Sequence, residues 1–167
     1  MKKRKFTIIG VALFAMLAVA AILWPMLFGV RVDTVILASY TAKGEEKPES
    51  ARSVTIKGRA YLKPFSRKIS RFHGLFRVEE FGEDGPEEAW IEFNRGGSLP
   101  SSWIENGEFR TNQLSNVYTD GLFDRLLIVV YAEGEEGWSG DQGPFLSYPG
   151  MTRTEMNTYL VGKMGSP

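Results

Sequence analysis

Residues 6–30 (FTIIGVALFAMLAVAAILWPMLFGV) carry no charged side chain, and MKKRK stands immediately before them. No other feature constrains the chain so strongly. Folded as a helix, such a run measures about 37 Å, against roughly 30 Å for the hydrocarbon core of a bilayer. Two readings fit. A cleaved signal peptide has a basic start of this kind, and Ala18-Val19-Ala20 resembles a small-residue cleavage site. An uncleaved signal anchor fits better, because the chain stays apolar through Trp24, Pro25 and Phe28 where a cleavage region would be polar. The basic residues lie before the span, and only Arg31 and then Asp33 follow it. The positive-inside rule therefore places residues 1–5 in the cytoplasm as a basic tail. It makes residues 6–30 a transmembrane signal anchor and puts the remainder outside. The expected location is the cell membrane of a bacterium, in single-pass topology.

The charge balance changes once the tail is set aside. The whole chain is formally neutral, with 20 basic and 20 acidic residues. From Val32 onward there are 15 basic residues against 20 acidic, a net of −5. That argues against nucleic acid as a partner, since a nucleic-acid face is basic. It also gives no overall attraction to an anionic membrane or wall polymer. There is no cysteine, which excludes disulfides, thiol catalysis and cysteine metal sites.

Residues 31–51 read as a juxtamembrane segment and linker. Val32 to Thr41 fits either a continued helix or a strand, and Lys43 to Ser50 (KGEEKPES) is polar with Gly and Pro. Residues 52–167 read as one extracytoplasmic β-rich domain. Ser53 to Leu62 alternates, with Val54, Ile56, Ala60 and Leu62 on one face, and Gly58 suggests a bulge. Residues 72–80, 88–94, Ser101 to Glu105 and Glu108 to Asn112 form four further strands. Asn106-Gly107 supplies the φ > 0 residues of a type I′ hairpin turn. Phe123 to Glu133 is the most apolar soluble run and reads as a central strand with both faces buried, and Gly143 to Tyr148 as a short last strand. Thr152-x-x-Glu155 is a capping-box pattern, followed by Met156, Tyr159, Leu160 and Met164 at helical spacing. The expected fold is mainly β (α+β): an N-terminal transmembrane helix, then an antiparallel β domain of about seven strands with one C-terminal amphipathic helix. The connection lengths favour a meander or Greek key.

Tyr61 to Glu79 (YLKPFSRKISRFHGLFRVE) resembles the segment Y-x-x-L-F-x-x-x-x-F-x-G-x-I-x-I of small exported proteins of Gram-positive bacteria. Phe72, Gly74 and Val78 take the corresponding places. Pro64 and the basic Arg67-Lys68 depart from the pattern. Leu146 to Met156 is similar to the strand, proline and acidic-capped helix that end those proteins. The resemblance implies fold and location, and it carries over no activity and no site.

No motif specifies a chemistry. His73 is the only histidine, it lies in a strand, and no G-x-S-x-G elbow accompanies it, so it reads as a structural or surface residue. The loop from Glu133 to Asp141 places Glu133, Glu135, Glu136 and Asp141 among glycines, the residue types of a loop Ca²⁺ site, but its spacing is not that of an EF-hand. A solvated acidic loop is the simpler reading, with no bound metal or cofactor. Trp138 in the same loop suits stacking on a sugar ring of a wall component. Lys63, Arg67, Lys68 and Arg71 read as a basic loop between the first two strands, suited to a phosphate or an acidic partner, with an ordinary charged loop as the simpler reading. The expectation is a non-enzymatic binding or accessory protein of the cell envelope, held in the membrane by residues 6–30 and contacting an envelope protein or wall component. Two alternatives are a carboxylate-based envelope hydrolase and a structural subunit of a membrane complex. In the second, Gly10, Ala12, Ala15, Ala18 and Ala21 would let helices approach closely.

Overall fold

The computed structural model describes residues 2–79, 89–93, 97–98, 102–105, 108–111, 114–130 and 142–164. The apolar run forms α1 (Lys2–Leu27), 26 residues long. Its window Gly10–Leu27 has a mean hydropathy of 2.3 and is wholly unburied, so by length and composition it can cross a membrane. Gly29 ends it with φ +69°, the left-handed cap that lets a helix stop. Arg59 Nη1 donates to the carbonyl of Phe28 at 2.8 Å, satisfying one of the acceptors a helix C-terminus leaves open.

The chain then enters the sheet at once. β1 (Val30–Thr41), β2 (Ser50–Leu62), β3 (Ile69–Val78) and β4 (Ala89–Glu92) form a meander. β5 (Gly97–Ser98) is a two-residue edge strand, and β6 (Ser102–Glu105) pairs with β7 (Glu108–Thr111) as a separate ribbon. β8 (Leu114–Asp120), β9 (Arg125–Val130) and β10 (Phe145–Tyr148) form a second meander. The spatial order is β4-β3-β2-β1-β10-β9-β8-β5, antiparallel throughout. The sheet curls, so residues of β3 and β4 share one core with residues of β8 and β9. α2 (Arg153–Met164) closes the chain on the outer face.

Two expectations change. Residues 31–51 are not a linker, and the domain does not begin at residue 52. β1 starts at Val30 and pairs with β2 from Val30↔Ala60 to Tyr40↔Ser50. The polar stretch that suggested a linker is the connecting loop of that hairpin, residues 42–49, closed by Glu49 N–H donating to Tyr40 O at 2.9 Å. Gly58 marks close packing and not a bulge. It faces Gly74, and a Cβ on Gly58 would lie 2.2 Å from the carbonyl oxygen of His73. The register shift of this pair falls at Tyr61/Leu62.

The inner core gathers Val54, Ile56, Phe72, Phe76, Ile91, Leu126 and Ile128, among others. Phe123, held at φ 66° in the β8–β9 turn, projects into it and meets Phe72 edge-on at 5.7 Å between ring centroids. A second cluster lies under α2, where Leu127, Val129 and Phe145 meet Met156 and Leu160. β9 thus buries both faces, as its unbroken apolar run requires. Thr152 and Glu155 form the expected capping box. The Thr152 N–H donates to Glu155 Oε2 at 2.8 Å, and the Glu155 N–H donates to Thr152 Oγ1 at 3.3 Å. Asn106-Gly107 lies outside the described residues, and Glu105 pairs with Glu108 on either side of it.

Candidate functional site

Three surfaces of the domain carry recognisable chemistry. The first is the end of the sheet next to α1. β2 runs past the start of β1 by two residues, and the connection 63–68 continues beyond it. That connection is a turn closed by Ser66 N–H donating to Lys63 O at 3.2 Å and Lys63 N–H donating to Lys68 O at 2.8 Å. Pro64 and Phe65 are its central residues, and Phe65 has φ 53°. A negative φ at Pro followed by a positive one is the sign pattern of a type II turn, whose second position ordinarily belongs to Gly. Phe65 is 88% exposed. Arg67 and Lys68 follow it, both exposed. Arg71 lies on β3 and not in the loop, with its guanidinium 4.4 Å from the centroid of the Tyr61 ring. A groove of about 370 Å³ beside the turn is lined by Met26 of α1 together with Leu62, Lys63, Pro64, Arg71 and Glu92.

The same end has a row of outward side chains set by the cross-strand register. Arg31 stands opposite Arg59, Arg59 opposite His73, and His73 opposite Trp90. His73 stacks on Trp90 at 4.0 Å with the rings 22° apart, which gives the lone histidine its structural place.

The second surface is a cleft of about 570 Å³ between the lower half of β1 and the turn Leu122–Asp124. It exists because β10 is short. β10 pairs with β1 only at Ser39, Tyr40 and Thr41, so among the described residues no strand pairs with that edge of β1 from Val30 to Ala38. Val35 and Leu37 are 60% and 69% exposed there, on the same outer face as α2 but beyond its reach.

The third surface lies at the end of α2. Lys163 Nζ donates to Asp120 Oδ1 and, at 3.0 Å, to Thr119 O. Burial raises the pKa of the Asp120 carboxyl, but the Lys163 ammonium outweighs it and holds the group below the ordinary aspartate range. Burial, followed by the charge of Asp120, pushes the Tyr159 phenol above its ordinary value. The Glu155 carboxyl is lowered by the Thr152 N–H and then by its hydroxyl. Glu155 caps the start of α2, whereas Lys163 and Asp120 tie its end to the sheet.

Arg153 does the same at the other end of α2. Only 7% exposed, it donates from Nε to Glu45 O at 2.7 Å, from Nη1 to Gly143 O at 2.9 Å and from Nη2 to Ala42 O at 2.6 Å. Nothing in the sequence marked it, because its partners are backbone carbonyls from two distant segments.

The acidic loop residues Glu133, Glu135, Glu136 and Asp141, with Trp138, lie outside the described residues. Among the described residues no three His, Asp or Glu side chains come together in a metal-binding group.

Comparison with known proteins finds no matching family model, no matching curated protein and no matching solved structure.

Proposed function

We propose that this chain is a single-pass, membrane-anchored protein whose sheet domain stands outside the cytoplasm as a non-enzymatic binding or accessory module of the bacterial cell envelope. One observation carries the reading: α1 passes into β1 across Phe28 and Gly29 alone. The apolar helix is wholly unburied, so it needs an apolar surrounding that the domain does not supply. The strand it feeds is the one that joins the two meanders. The domain is therefore held against the bilayer at a fixed height, not on a flexible stalk. The MKKRK tail favours a cytoplasmic N-terminus. The resemblance of Tyr61 to Glu79 to exported proteins of Gram-positive bacteria points the same way.

The binding face this reading favours is the open edge of β1. Among the described residues no strand pairs with this edge from Val30 to Ala38, which suits strand addition by an extended segment, and Val35 and Leu37 supply apolar contact beside it. Two measurements test the proposal on the full-length protein in cells. Protease added outside intact protoplasts should remove the sheet domain, and complete protection would overturn the topology. A photo-crosslinking residue at Leu37 should give a discrete protein adduct that one at the exposed Lys47, in the β1–β2 connection, does not. Equal labelling from both positions would overturn the binding face.

A further inference from the structure

We propose that the turn Lys63–Lys68, with Arg31, Arg59 and Trp90 beside it, is a lipid-contact surface that docks the domain on anionic phospholipid next to its own membrane helix. This rests on the anchor reading above and adds a second, reversible membrane contact to it.

Val30 pairs with Ala60, so the level at which α1 ends is the level of Ala60 on β2. The chain continues from there through Leu62 into the turn, which therefore descends beside the last turns of α1. Met26 and Pro64 line the same groove. If α1 is in the bilayer, the tip of this turn reaches the headgroup layer.

The second observation is what stands at the tip. A large aromatic side chain at positive φ is strained, and such strain persists where the surroundings or a function require it. Phe65 is 88% exposed, so no packing within the described domain requires its ring. Glycine would fit the backbone better, whereas phenylalanine suits an apolar contact beneath the headgroups.

The third observation is charge. The domain is net acidic, yet Arg31, Arg59, Lys63, Arg67, Lys68 and Arg71 gather at this end. Asp33, within 3.8 Å of Lys57, and Glu92, opposite Arg71, are the acids nearest to them in the sheet register. Arg31 and Arg59 face each other directly across the strands, a like-charge pair; Arg59 Nη1 donates to Phe28 O at the negative end of α1, which leaves Arg31 as the exposed charge that an anion beside the pair would balance. Phospholipid phosphates supply that anion. Trp90, 58% exposed on the same row, has the amphipathic ring favoured at membrane interfaces.

The test uses the full chain reconstituted in vesicles. The chain has no cysteine, so a single Ser66→Cys change can be labelled with an environment-sensitive fluorophore without competition. In phosphatidylcholine vesicles containing phosphatidylglycerol, lipids carrying a shallow quencher should quench the label. Pure phosphatidylcholine, or high salt, should relieve the quenching. Each of Arg67→Gln and Lys68→Gln should lower the docked-to-undocked ratio about fivefold, from roughly 1 kcal/mol per basic residue near an anionic surface. Phe65→Gly separates docking from folding, since it should leave thermal stability unchanged or higher while weakening the quenching. A label at Ala15 with deep quenchers reports the anchor independently. An unquenched Ser66 label beside a quenched Ala15 label would overturn the lipid contact and leave the anchor standing. An unquenched Ala15 label would overturn both. Quenching of the Ser66 label that ignores lipid charge and the basic residues would overturn the proposed chemistry.

Discussion

Single residues do unequal work in this domain, and backbone proximity decides which ones matter. Gly58 and Gly74 face each other on β2 and β3 so closely that a Cβ on either would strike the opposite strand. Gly58→Ala should therefore cost about 1–3 kcal/mol through strand displacement, read as a lower denaturation midpoint of the detergent-solubilised chain. An unchanged midpoint would mean that the strands separate freely at this point. Glu155 gives a pH prediction with a definite sign. Its folded-state pKa is depressed, so its contribution is full above the ordinary glutamate range and is lost as pH falls through the folded value. Asp120 acts in the same direction. Stability should therefore fall on the acid side, and Glu155→Gln should flatten part of that slope in melts taken as a series of pH values. A slope identical to the parent's would remove the capping box from the account. Arg153 stands at the opposite extreme of legibility. An arginine at the start of an amphipathic helix looks like surface, and only the fold brings Ala42, Glu45 and Gly143 around it.

Among the elements, those with one unbroken period were readable and those interrupted by irregular pairing were not. α2 announced itself through Thr152, Glu155 and the spacing of Met156 and Leu160, and all four sit as that pattern requires. β9 was plain because Leu126 to Val130 are apolar without a break. β8 escaped because its register shifts between Leu114 and Val117, which destroys the alternation that marks a strand. β1 was ambiguous because its outer face carries Val35 and Leu37 where alternation calls for polar residues. Those two side chains hid the strand and now mark the candidate binding edge. At the site, the basic group was legible as charge in Arg67 and Lys68. The row from Arg31 to Trp90 was not, since it depends on cross-strand register, which no single segment encodes. The buried position of β9 also sets its dynamics. Its five residues Leu126 to Val130 are buried between β8 and β10. Amide exchange of the detergent-solubilised chain should be slowest there, slower than in β2 between Ser53 and Leu62. Faster exchange in β9 would place the most stable unit in the N-terminal meander instead.

At the scale of the whole molecule, β1 links α1 to both halves of the sheet. It pairs with β2 along nearly its full length and with β10 at its far end, so among the described residues it is the strand that hydrogen-bonds the two meanders together, while their side chains also meet in the shared core. It also contributes Val32, Ile36 and Ala38 to the inner core. A fragment that begins at residue 52, where composition alone suggests the domain begins, lacks this strand and leaves edges of β2 and β10 unpaired within the core. Removing α1 alone is a different matter. The helix is unburied, and among its described contacts with the sheet is one hydrogen bond, from Arg59 to Phe28. The fragment 30–167 should therefore keep a β-rich circular dichroism spectrum and a single cooperative melt. The fragment 52–167 should show neither, because losing a central strand removes several buried apolar side chains, each worth about 1.5–3 kcal/mol, from a domain whose net stability is only about 5–15 kcal/mol. Adding a synthetic peptide of residues 30–41 to the shorter fragment should restore part of the signal by filling the gap. A cooperative melt of 52–167 equal to that of 30–167 would show that β1 is an accessory strand. The coupling of α1 to the sheet core through β1 would then have to be abandoned.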